Sequence, residues 1–88
     1  MEPRDTRLRR LHMRSIRRGI KEMDIILGRF AENGLTALGD ADLSLYDAML
    51  AENDHDLYQW VSGQQPAPAR YAALIAHIAA LNRIAMER

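Results

Sequence analysis

Apolar residues in this chain recur at helical spacing, and no segment alternates apolar with polar over the length of a strand. Ile20, Met23, Ile26, Leu27, Phe30 and Ala31 fall on one stripe, Leu43, Tyr46, Met49 and Leu50 on a second, and Leu57, Trp60 and Val61 on a third. Leu8, Leu11 and Ser15 begin the series, and Tyr71, Leu74, Ile75, Ile78, Leu81 and Ala85 close it. A stripe of period 3.6 buries itself against other such stripes, so the fold class is all-α, a compact bundle of five short helices. The 88 residues leave room for one hydrophobic core. A single helical domain is therefore expected over 1–88, with an ordered core of about 6–86.

The breaks between stripes place the helix ends. A first helix is expected over 6–18 and a second over 20–33. Gly34 is read as the left-handed residue that stops the second, with Leu35 making the apolar contact that closes such an end. A loop through Thr36 and Gly39 leads to a third helix over 40–52, where Asp40 and Asp42 suit the positive first turn. Asn53, Asp54, His55 and Asp56 read as the cap of a fourth helix stopped by Gly63. Gln64-Gln65-Pro66-Ala67-Pro68 is a stiff linker to an alanine-rich fifth helix. Gly28 costs its helix up to about 1 kcal/mol relative to alanine, which predicts close packing of another backbone or a partner there.

Several chemistries are disfavoured at once. There is no cysteine, and His12, His55 and His77 lie far apart, so no metal site is expected. Ser15, Ser44 and Ser62 have no base at a supporting spacing, and the glycines form no phosphate loop. No catalytic residue is assigned and the chain is not read as an enzyme. No apolar run approaches the roughly 20 residues of a membrane span, and Met1-Glu2-Pro3-Arg4-Asp5 does not begin a secretory leader. A cytoplasmic protein is expected.

Charge concentrates the remaining information. The formal net charge is +0, yet residues 1–21 hold eight Lys/Arg against two Asp/Glu, and residues 22–56 hold nine Asp/Glu against Arg29. Arg7, Arg10, Arg14 and Arg17 follow helical spacing and make a basic stripe, read either as solvated or as docking on phosphate or an acidic surface. The stripe stops at Arg17-Arg18-Gly19-Ile20-Lys21-Glu22, which reads as a joint between helices. There Arg17 and Arg18 suit the negative end of the first helix, and Gly19 supplies left-handed or non-helical geometry. Glu22 suits the positive first turn of the second helix and is placed to return a hydrogen bond to the Gly19 N–H. Ile25 falls off the apolar stripe onto the face of Lys21, Glu22 and Arg29, so an exposed apolar contact beside Glu22 is expected.

The same joint carries a family resemblance. Arg18-Gly19-Ile20-Lys21-Glu22 matches the R-G-x-x-E signature of the FAD assembly factors of succinate dehydrogenase. Arg14-Ser15 before it and Ile26-Leu27-Gly28-Arg29-Phe30-Ala31 after it are similar to the bacterial branch of that family. Leu38-Gly39-Asp40-Ala41-Asp42-Leu43 and Asp54-His55-Asp56-Leu57-Tyr58-Gln59-Trp60 extend the likeness over residues 8–63. Arg14, near a usual aromatic, and Gly39, at a usual serine, depart from the pattern.

The resemblance implies a five-helix factor that binds the flavoprotein subunit of succinate dehydrogenase, or of fumarate reductase, and promotes covalent FAD attachment. The FAD belongs to the partner, and the factor holds no cofactor of its own. Arg18, Gly19 and Glu22 are implied at the partner contact; Arg14, Arg17, Asp24 and Ile25 join them as helical neighbours. A monomer without membrane attachment is expected. Two other readings stand beside it: a nucleic-acid-binding module using the arginine stripe, and an antitoxin-like regulator, a role also suggested for relatives of this fold.

Overall fold

A computed structural model describes residues 2–87, with side chains described through Arg83. Five α-helices follow in order: α1 Arg4–Ser15, α2 Lys21–Asn33, α3 Asp40–Met49, α4 Asp54–Ser62 and α5 Ala69–Glu87. One 3-10 turn, Leu35–Ala37, joins α2 to α3. The expected all-α bundle of five helices is present, and the described residues contain no strand.

The helix ends show where local rules were overridden. Pro3 caps α1 with φ −61°, and the Arg7 N–H donates to its carbonyl at 2.9 Å, so α1 begins before the expected residue 6. It stops at Ser15 rather than residue 18, because the backbone turns extended at Ile16 and left-handed at Arg17. Ile20 is the extended cap of α2, without a side-chain hydrogen bond, and Glu22 and Asp24 occupy the first turn. Gly34 closes α2 at φ −128°, so the expected left-handed stop is absent. Its glycine meets a need for room: a Cβ there would lie 2.8 Å from Phe30 Cε1 and 3.0 Å from Leu81 Cδ1. α3 ends at Met49, short of residue 52, and turns inward so that Leu50 is buried. Asn53 caps α4 by accepting the His55 N–H at 2.8 Å, and Gly63 ends it at φ 83°, the left-handed stop expected there.

The core forms where α2 and α5 pack on each other and on the remaining helices. Met23, Leu27 and Phe30 of α2 meet Tyr46 of α3, Leu57 of α4, and Tyr71 and Ile78 of α5, all without solvent exposure. Phe30 tilts against Tyr46 at a centroid distance of 5.4 Å and takes the edge of His77 at the same distance. Leu74 and Ile75 are buried as their stripe predicts, while Leu8, Trp60, Val61 and Leu81 are half-buried around the core. The side chain of Ala85, placed on the same stripe, lies outside the described residues. Gly28 faces only Ile16 Cγ2, 3.6 Å from an added Cβ, so no backbone presses on it and alanine would fit.

Candidate partner-binding site

The joint between α1 and α2 is locked by one aspartate. Arg18 donates from Nε to Asp54 Oδ1 at 2.9 Å and pairs with the same oxygen through Nη2 at 2.8 Å. The Gly19 N–H donates to the other oxygen of Asp54. The rest of the Arg18 guanidinium is spent on backbone: Nη1 on the Arg14 carbonyl and Nη2 on the Leu50 carbonyl, both at 2.8 Å. These carbonyls belong to the negative ends of α1 and α3, and Asp54 opens the positive end of α4, so the pair complements three helix termini at once. The side chains are 12% and 15% exposed, which makes this a largely desolvated ion pair whose hydrogen bonds are met internally.

This lock corrects the local reading of the joint. The left-handed residue is Arg17, at φ 58°, and Gly19 takes the non-helical geometry, the other alternative expected for it. A Cβ on Gly19 would stand 2.8 Å from Asp54 Oδ2, so any other residue has to push aside the carboxylate that its own N–H bonds. The carboxylate that reaches back is Asp24, which accepts the Arg18 N–H; Glu22 does not serve Gly19 and faces solvent. Asp54, read from sequence as a cap, leaves that task to Asn53. The clue was in the order of residues: Asn53 already supplies a cap, so Asp54 was surplus to it.

The basic stripe runs along the surface beside α3 and pairs with it. Arg4 donates to Asp40 Oδ1 at 3.2 Å and to the Leu38 carbonyl at 2.8 Å, and Arg7 donates to Ser44 Oγ. Arg10 pairs with Glu2 and Asp47, each at 2.9 Å, and Arg14 also holds Asp47. Hydrogen bonding from Arg10, reinforced by the nearby arginine charges, keeps the Asp47 carboxyl below the usual range, and the same arginine lowers Glu2. Arg17 has left the helix and is exposed, so it does not continue the stripe. Arg10 and Arg14 stay at the surface, 39% and 37% exposed, with their guanidinium groups already paired to Asp47.

The seven residues singled out by sequence thus separate. Arg18, Gly19 and Asp24 build the joint, and Arg14 ties α1 to α3. Arg17, Glu22 and Ile25 face outward, Gly19 is exposed as well, and Ile25 is 44% exposed as its place off the stripe predicts. Glu22 and Ile25 border an open groove of about 680 Å³ between α2, α4 and α5, whose apolar lining includes Ile26, Tyr58, Val61 and Ala79. Asn82 of α5, which sequence reading passed over, also lines it. Among the described residues no cluster of His, Asp or Glu is arranged to hold a metal, and no helix is long and apolar enough to cross a membrane.

An internally locked joint beside an open, partly apolar groove defines a small helical interaction module. The family described as flavinator of succinate dehydrogenase matches residues 9–82, and the chain belongs to that family. It is similar to proteins named succinate dehydrogenase assembly factor 2, mitochondrial, from three fungi. Identity is 41% over 73 residues for Meyerozyma guilliermondii, covering 80% of this chain and 54% of that protein. For Mycosarcoma maydis it is 39% over 71 residues, covering 81% and 30%, and for Schizosaccharomyces pombe 39% over 70 residues, covering 80% and 50%. The chain therefore spans about half, or less, of the length of these relatives.

Proposed function

We propose that this chain binds the flavoprotein subunit of succinate dehydrogenase, or of fumarate reductase, and promotes covalent attachment of FAD without catalysing it. The observation that carries the reading is the outward edge of Glu22 and Ile25, held next to a joint whose own charges are already satisfied. Such an edge is presented in one geometry before any partner arrives, so little ordering cost falls on binding. Family membership and the relatives' names support the choice of partner. FAD is a group of the partner in this reading, and the factor acts as a cytoplasmic monomer.

Promotion requires differential affinity. The factor must bind the attachment-competent conformation of the flavoprotein more tightly than the others, and each 1.4 kcal/mol or so of difference shifts the populations about tenfold. Within Arg18-Gly19-Ile20-Lys21-Glu22 the labour is divided: Arg18 and Gly19 set the shape of the edge, and Glu22 meets the partner.

In-gel flavin fluorescence of the flavoprotein, in cells with and without this gene, tests the reading. The covalent signal should fall when the gene is removed, and an unchanged signal would discard the proposal. Glu22→Gln should leave stability within about 0.5 kcal/mol of the parent, as exposed substitutions usually do, while lowering the covalent signal. Arg18→Ala should lower both, because it leaves Asp54 partly buried without its counter-ion.

A further inference from the structure

Asn82 is 6% exposed, and its Nδ2 is committed twice, to the Ile78 carbonyl at 2.9 Å and across to the Ile26 carbonyl at 3.2 Å. Those bonds fix the amide's orientation, because reversing it would set Oδ1 against two carbonyl oxygens. Oδ1 is consequently buried and accepts no hydrogen bond among the described residues, an arrangement native interiors seldom keep without a use. Asn82 lines the groove between α2, α4 and α5.

The charges of the groove are also unbalanced. Arg4, Arg10, Arg14, Arg18 and Arg70 each hold a carboxylate, whereas Arg29 and Arg83, the two arginines that line the groove, pair with none among the described residues. Arg29 and Glu22 both line the groove, about two helical turns apart on one face of α2, with Ile25 and Ile26 between them. An occupant therefore meets an anion at one end, a cation at the other and apolar side chains in the middle.

We propose that this groove seats a short segment of the flavoprotein subunit, carrying an apolar side chain, a hydrogen-bond donor and a carboxylate. The proposal rests on the function inferred above and names where on this chain the partner enters. The apolar side chain lodges among Ile25, Tyr58 and Val61, and the carboxylate meets Arg29. The donor satisfies Asn82 Oδ1 by parting the side chains that cover it. A free N–H or a basic residue of the segment faces Glu22, which sets its direction along α2.

The test uses the full chain and the purified flavoprotein subunit. A benzophenone-bearing residue in place of Val61 should cross-link to one segment of the flavoprotein containing an apolar and an acidic residue, and the same probe in place of exposed Met13 should not. Ile25→Glu and Arg29→Glu should each weaken binding at least about tenfold, with helix content unchanged, while Arg9→Glu leaves it as it was. Binding that survives both groove variants overturns the proposal, as does a Val61 probe that captures only a second copy of this chain or nothing. In those cases the assembly role stands if Glu22→Gln still lowers the covalent flavin signal. A chain that does not bind the flavoprotein at all overturns both.

Discussion

Ser15 is fully buried where α1 stops, and its single proton goes to the Leu11 carbonyl at 2.7 Å. The Tyr46 hydroxyl, 2.6 Å away, is therefore the donor to Ser15 Oγ. Burial pushes the Tyr46 hydroxyl up to about 12. Tyr46→Phe leaves Ser15 bonded and should cost about 0.5–1.5 kcal/mol, whereas Ser15→Ala strands a buried phenol and should cost about 1–3 kcal/mol. Urea melts of the two variants at neutral pH check the asymmetry, and equal costs would contradict a shared bond. Above the ordinary value of 10.0 the unfolded chain loses this proton first, so stability should decline from there towards about 12. Tyr46→Phe should flatten that decline. At the joint, Gly19→Ala must displace the Asp54 carboxylate and should cost roughly 1–3 kcal/mol, the range for losing a buried partner or a hydrogen bond to a charged group. A neutral or stabilising Gly19→Ala in the same melts would mean that Asp54 does not bear on the joint.

Between elements, a row of polar pairs runs from α1 to α3 beside their shared core. Arg4 on Asp40, Arg7 on Ser44, and Arg10 with Arg14 on Asp47 follow the same helical repeat along both helices. Because Asp47 ionises more readily in the folded chain than in the unfolded one, its contribution is complete above the ordinary carboxylate range. It is lost as pH falls through the lowered value. Asp47→Asn should make the acid side of the stability profile shallower, as an acid titration followed by circular dichroism would show. The helices themselves were legible in sequence, since a stripe such as Met23, Leu27 and Phe30 has few other ways to be buried. Their ends and charges were less so. Gly19 and Gly34 look like helix-stop glycines locally, yet an added Cβ would crowd a side chain at each: Asp54 at Gly19, and Phe30 of its own helix together with Leu81 at Gly34. The arginine stripe resembles an outward surface until α3 supplies Asp40 and Asp47, more than thirty residues along the chain. Spacing finds which residues share a face, but what that face meets is a tertiary fact. Ile25 could be read correctly because its exposure follows from its own helix alone.

For the whole molecule, the uneven distribution along the chain is partly cancelled in space. The basic first 21 residues and the acidic 22–56 segment meet through the pairs on Asp40, Asp47 and Asp54. A polyanion approaching α1 would have to compete with carboxylates already in place, and phosphate contacts that displace an existing ion pair gain little over the solvent they lose. What the stripe is bonded to thus weighs against the nucleic-acid reading, beyond its lack of residues that read bases. A chain carrying 12 Lys and Arg should therefore leave a heparin column at low salt. The double variant Asp40→Ala, Asp47→Ala removes the carboxylates held by Arg4 and Arg14 and one of the two held by Arg10, which keeps Glu2, and it should elute at distinctly higher salt. A third variant with Arg10 and Arg14 also changed to glutamine separates the freed arginines from the two lost negative charges, and most of the added retention should vanish in it. If the parent chain already binds heparin as strongly as the double variant, the α1 arginines are open to partners in solution. The ladder between α1 and α3 would then have to be a minor arrangement.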